Sequence, residues 1–90
     1  MGAEMSRKKA SVTIEPIYTR IGSRIRLFRK ELGLTQDDLA DVVGLTRVSI
    51  VNIENGRQRI LAHHLPEFAA ALDVETEMLI SSQIKRKAKK

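Results

Sequence analysis

The chain contains no cysteine, and that absence removes disulfide scaffolds, thiolate nucleophiles and sulfur-ligated metal sites together. It fits a reducing, cytoplasmic setting without requiring one. Tryptophan is also missing and aromatics make up 3% of the sequence, which leaves the core to aliphatic side chains. No apolar run approaches the roughly 20 residues that cross a bilayer, and the N-terminus is too polar for a secretory signal. Met1-Gly2 with Ser6 matches a myristoylation pattern formally, but an ordinary start is the expectation. No nucleophile and base stand at useful spacing, no glycine-rich phosphate loop is present, and the residues are not those of an enzyme. His63 and His64 are adjacent and so face about 100° apart on a helix, which prevents them from chelating one ion. No metal or cofactor is expected.

What is present is one domain of 90 residues with 42% hydrophobic and 30% charged residues, enough for a modest core and no second domain. The formal charge of +5 points to an anionic partner, and its placement sharpens the point. Residues 81–90 carry five cations and no acid, whereas residues 16–80 carry eight cations and nine acids. Within that central part Arg20, Arg24, Arg26, Arg29 and Lys30 cluster on one predicted helix, while Asp73, Glu75 and Glu77 lie near the end. A domain basic on one side binds phosphate without being basic overall. The chain divides into a flexible or extended arm over 1–16, a folded domain over 17–80 and a basic tail over 81–90. Ser11 to Glu15 alternates like a strand until Pro16 ends it, and packs on the helices or, less expected, pairs with a second subunit. The tail adds nonspecific attraction to an anionic partner or serves solubility.

The informative stretch is Gln36 to Asn55. Leu39, Ala40 and Val43 mark the buried face of a short helix, and Thr35 caps it ahead of Asp37 and Asp38. Gly44 ends that helix in the left-handed conformation and Thr46 caps the next, so two helices meet across a tight turn. At about 100° per residue, Ile50 and Ile53 fall on one side of the second helix, with Val48, Val51, Asn52 and Asn55 on the other and Arg47 in the first turn. The outward groups can read base edges: Asn suits adenine, Arg suits guanine, and a branched methyl meets that of thymine.

Gln36, Ala40, Gly44, Ile50, Ile53 and the segment NIENGRQ resemble the helix-turn-helix of the phage-repressor and Cro-like (XRE) family, over about residues 18–80. The resemblance implies an all-α, compact five-helix bundle of the lambda-repressor type. It implies double-stranded DNA as partner and a homodimer acting on a two-half-site operator as a transcriptional regulator, here a repressor. Arg47, Val48 and Asn52 are assigned to base readout, with Ser49 and Val51 beside them; Gln36, Thr46, Asn55, Arg57 and Arg59 are assigned to the DNA backbone. In similar domains Gln36 also braces the recognition helix. The last helix supplies the twofold contact in such domains, giving Thr76, Met78 and Ile80 that role, with gap-filling core the equal alternative for Met78. The family also contains antitoxins that neutralise a partner toxin and restriction-modification controllers, and contact with polymerase is a further route of action.

The remaining helices follow from periodicity. Ile17, Ile21, Ile25, Phe28 and Leu32 form one stripe ended by Gly33, Leu65, Phe68, Ala69 and Leu72 a second over 62–72, and Val74 and Leu79 complete the core in a last helix to Ile80. Asp73 stands where similar proteins place Gly. Arg29 and Glu54 each lie about 40° off a buried stripe, and a charge at such a margin needs a partner. They are expected to pair.

Overall fold

Pro16 lacks the N–H that the first turn of a helix leaves unpaired, and it opens α1 (Pro16–Glu31). A computed structural model describes residues 16–82 of the chain; the strand-like Ser11–Glu15 segment and the basic run 83–90 lie outside them. Four further helices follow: α2 (Gln36–Val43), α3 (Arg47–Glu54), α4 (His64–Leu72) and α5 (Thr76–Ile80). No strand occurs among the described residues. The all-α, five-helix expectation therefore holds.

The central element is α1, which packs on α3, α4 and α5, while α2 packs on α3 and α4. Ile21, Ile25 and Phe28 of α1 meet Leu39, Ile50, Ile53, Phe68, Leu72 and Leu79 in one core. Ile25, Leu39, Ile50, Phe68, Leu72 and Leu79 are wholly buried, which places the predicted stripes of all five helices inward. Gly22 allows α1 and α3 to cross closely. A Cβ there would stand 2.0 Å from the Ile53 carbonyl oxygen, a backbone atom that cannot swing aside.

Three expectations are corrected. Leu32 is 48% exposed, because α1 ends at Glu31 and Leu32 falls in the turn that Gly33 closes. Helix α4 starts at His64 instead of Ala62, since Ala62 and His63 form a preceding turn in which the Ala62 carbonyl accepts from the Leu65 N–H. The last helix starts at Thr76 instead of Val74. Asp73 does adopt the left-handed conformation, at φ 60°. Met78 and Ile80, which the resemblance assigns to a dimer contact with gap-filling core as the alternative for Met78, pack against the core and are half-buried.

Candidate nucleic-acid interface

The site rests on two capped helices. Thr35 Oγ1 accepts from the Asp38 N–H, and the Asp38 carboxylate accepts from the Thr35 N–H, both at 2.9 Å. This reciprocal box satisfies two donors at the start of α2. The Thr35 backbone N–H and hydroxyl together hold the Asp38 carboxyl below the ordinary aspartate value. Gly44, at φ 75°, ends α2 in a conformation that side chains with a Cβ resist. Thr46 then caps α3 by accepting from the Ser49 N–H at 3.0 Å. The turn between the helices is residues 44–46.

Behind α3 lies a buried polar network. Arg29 Nε and Nη2 donate to the two carboxylate oxygens of Glu54 at 2.6 and 3.0 Å, and Arg29 Nη1 donates to the Leu34 carbonyl at 2.9 Å. Gln36 Nε2 donates to Glu54 Oε1 at 3.2 Å. The expected ion pair is thus present, two-pronged and buried, and it ties α1, the 33–35 turn, α2 and α3 to one carboxylate. No buried side-chain nitrogen or oxygen among the described residues lacks a partner, so the charges carry their compensation with them. Gln36 is drawn into the bracing contact.

Away from its two isoleucines α3 presents an exposed row, with Arg47 on the flank nearest Glu54. Val48 is 67% exposed, Arg47 and Asn55 are exposed, and Ser49, Val51 and Asn52 are half-buried, while Ile50, Ile53 and Glu54 are buried. Rotation about the axis explains the order: Val48, Asn52 and Asn55 lie within roughly 60° of one another on the side opposite the isoleucines, with Val51 and Arg47 on one flank and Ser49 on the other. After α3 the loop turns through Gly56, with the Arg57 N–H bonded to the Asn52 carbonyl at 2.9 Å. Buried Ile60 pins it to the core, and Arg57 and Arg59 are exposed on it. Sequence reasoning passed over Ile60, an isolated apolar residue outside any periodic stripe.

The basic helix proves to be three sites in one. Arg29 is inside the network just described. Arg20 Nη1 donates to the Ile80 carbonyl at 2.9 Å and Arg24 Nη1 to the Met78 carbonyl at 2.7 Å, so both are spent on α5. Arg26 and Lys30 remain exposed and border a groove of about 480 Å³ shared with Leu34, Thr35, Gln36, Asp37 and Arg47. The two had been grouped with the other cations of α1; their position on the side of the helix opposite Ile21, Ile25 and Phe28 is the signal that separates them from Arg20 and Arg24 at the stripe's margin. His64 Nδ1 contacts Glu67 Oε1 at 2.8 Å, and the His63 and His64 rings lie 4.3 Å apart. No group of three potential metal ligands occurs among the described residues, and no helix among them is long and apolar enough to cross a membrane.

Two capped helices joined by a tight turn, the second braced from behind and studded outward with Arg, Asn and small apolar groups, define the class of helix-turn-helix proteins. A family model described as helix-turn-helix matches residues 25–79. The chain belongs to this family, in its phage-repressor and Cro-like (XRE) branch. A relative named as an uncharacterized HTH-type transcriptional regulator from Methanothermobacter thermautotrophicus is 54% identical over 44 residues, 46% of this chain and 64% of that protein. The chain spans 42% to 64% of the length of the curated relatives it matches. Among solved structures, the restriction-modification controller protein C.AhdI from Aeromonas hydrophila is similar at 32% identity and a TM-score of 0.66, over 70% of this chain and 96% of that one. The P22 c2 repressor in complex with a synthetic operator is similar at 28% identity and a TM-score of 0.66, with the same shares covered.

Proposed function

We propose that this chain is a sequence-specific DNA-binding regulator of transcription, acting in the cytoplasm as a homodimer on an operator of two half-sites and repressing by occupying the promoter. The observation that carries the reading is the outward row of α3, open to solvent and rigidly backed. Arg47, Val48 and Asn52, with Ser49 and Val51 at the edges, offer hydrogen-bonding and methyl-contacting groups suited to a major groove. Gln36, Thr46, Asn55, Arg57 and Arg59 surround them at the two ends of α3, where phosphates pass. Support comes from the likeness to a repressor solved on an operator.

One α3 covers few base pairs, and two copies about 34 Å apart supply the affinity and specificity that one lacks. The dimer contact is assigned to Thr76, Met78 and Ile80. On α5, Thr76 and Ile80 lie about 40° apart on one flank of buried Leu79, and Met78 lies on the other, so a twofold contact centred on the first flank uses Met78 only at its margin. The likeness to C.AhdI favours a restriction-modification controller as a subtype of this reading.

Selection of bound sequences from a random DNA pool tests the proposal, with an inverted repeat as the expected product. Within the selected site Asn52→Ala is expected to lose about 1–3 kcal/mol there and little on random DNA. Arg57→Ala is expected to weaken both DNAs alike and to reduce the salt slope by about 1. Equal losses for the two variants on both DNAs would refute the division of roles.

A further inference from the structure

The groove bordered by Arg26, Lys30 and Arg47 contains a single carboxylate, that of Asp37. An acid in a surface facing phosphate lowers its attraction for DNA, and capping does not account for it, because Asp38 makes the cap bonds of α2. Asp37 Oδ1 instead stands 3.9 Å from Arg47 Nε, with the two side chains 74% and 61% exposed. Arg47 is the first residue of α3, where the helix dipole disfavours a cation, and Asp37 is in the first turn of α2, where it favours an acid. The nearest guanidinium atom is Nε, at ion-pair separation and beyond a hydrogen bond. The outer edge of the guanidinium is the part that grips guanine O6 and N7 in a two-pronged contact.

We propose that Asp37 is a specificity-determining positioning residue, whose charge draws the Nε side of Arg47 toward α2 so that the outer edge of the guanidinium addresses a guanine edge instead of a neighbouring phosphate. The inference rests on the reading of α3 as the base-reading helix. The carboxylate acts twice. It opposes binding to every duplex through repulsion from phosphates, and it favours only those in which a guanine takes up the Arg47 fork. Both effects widen the gap between cognate and random DNA. An exposed pair at this distance contributes little to folding, so its consequence falls on DNA.

The test uses the full chain, its pool-selected site and a random duplex of equal length, over a series of salt concentrations. Asp37→Asn is expected to bind the random duplex several-fold more tightly, with a salt slope steeper by about 1. It is also expected to lose on the order of tenfold in preference for guanine at the base pair that Arg47 reads. Asp37→Glu, which keeps the charge, should restore both, and in an Arg47→Ala background Asp37→Asn should leave base preference unchanged. A specificity ratio and guanine preference for Asp37→Asn within twofold of the original chain would overturn the proposal while leaving the regulator reading intact. Failure of the unaltered chain to select any sequence would overturn that reading as well.

Discussion

The chain makes one kind of turn before α2, before α3 and before α5, and the turns before α3 and α5 are completed differently. Between α2 and α3 it passes through a left-handed residue, Gly44, a half-buried Leu45 whose N–H bonds to the Ala40 carbonyl, and the cap Thr46. Between α4 and α5 it passes through a left-handed Asp73, a half-buried Val74 whose N–H bonds to the Ala69 carbonyl, and Glu75, which makes no side-chain cap bond. The first turn has the residues its geometry favours, and the second has the geometry without them. What replaces them is α1. Arg20 and Arg24 reach the carbonyls of Ile80 and Met78 at the end of α5, whereas α3 is held through the carboxylate of Glu54. The helix assigned to DNA is fixed locally and from behind; the helix assigned to the dimer is fixed mainly from across the fold.

The sharpest way to break this contrast is at Glu54. Glu54→Gln leaves the Arg29 guanidinium buried without its counter-charge and with one acceptor oxygen in place of two, and is expected to cost about 3 kcal/mol, on the order of 15 °C in melting temperature for a domain of this size. Arg29→Met combined with Glu54→Met should cost less than either change alone, since the double variant leaves no buried charge. Thermal unfolding followed by circular dichroism measures both. A double variant as unstable as the sum of the singles would show that the pair matters for its shape alone.

At Arg24 the expected effect is smaller and confined. Arg24→Gln removes a charge-assisted bond to one carbonyl and is expected to cost about 1.5 kcal/mol. Amide hydrogen exchange locates the loss: α5 should exchange faster while α3 keeps its protection. Uniform acceleration through both helices would mean that the two are not separately held.

This contrast also explains what could be read from the sequence. Thr35, Gly44, Thr46, Ile50 and Ile53 announced the first pair of helices because each residue type fits one position and few others. Arg29 and Glu54 were found because a pair of opposite charges at the margins of two apolar stripes leaves a mark on both partners. Arg20 and Arg24 left half a mark. Their partners are backbone carbonyls, which every residue has, so the five cations of α1 read as one basic side when three of them point inward. Asp37 was read as a dipole-compensating acid, and its nearness to Arg47 depends on how α2 and α3 sit across the turn, which no local pattern records.

The smallest effect addresses the second turn itself. Asp73 holds φ at 60° and ψ at 43°, where an L-residue pays a steric penalty of roughly 1 kcal/mol that Asp lowers through its short polar side chain. Asp73→Gly removes the strain but gives the unfolded chain more freedom to lose, so a net gain of about 0.5 kcal/mol is expected, some 2–4 °C in melting temperature. The gain should appear mainly as slower exchange in α5, because Asp73 is where the chain turns toward it. If Asp73→Gly instead lowers the melting temperature, the aspartate side chain is contributing to the turn beyond its backbone conformation, and the second turn would be as well matched to its residues as the first.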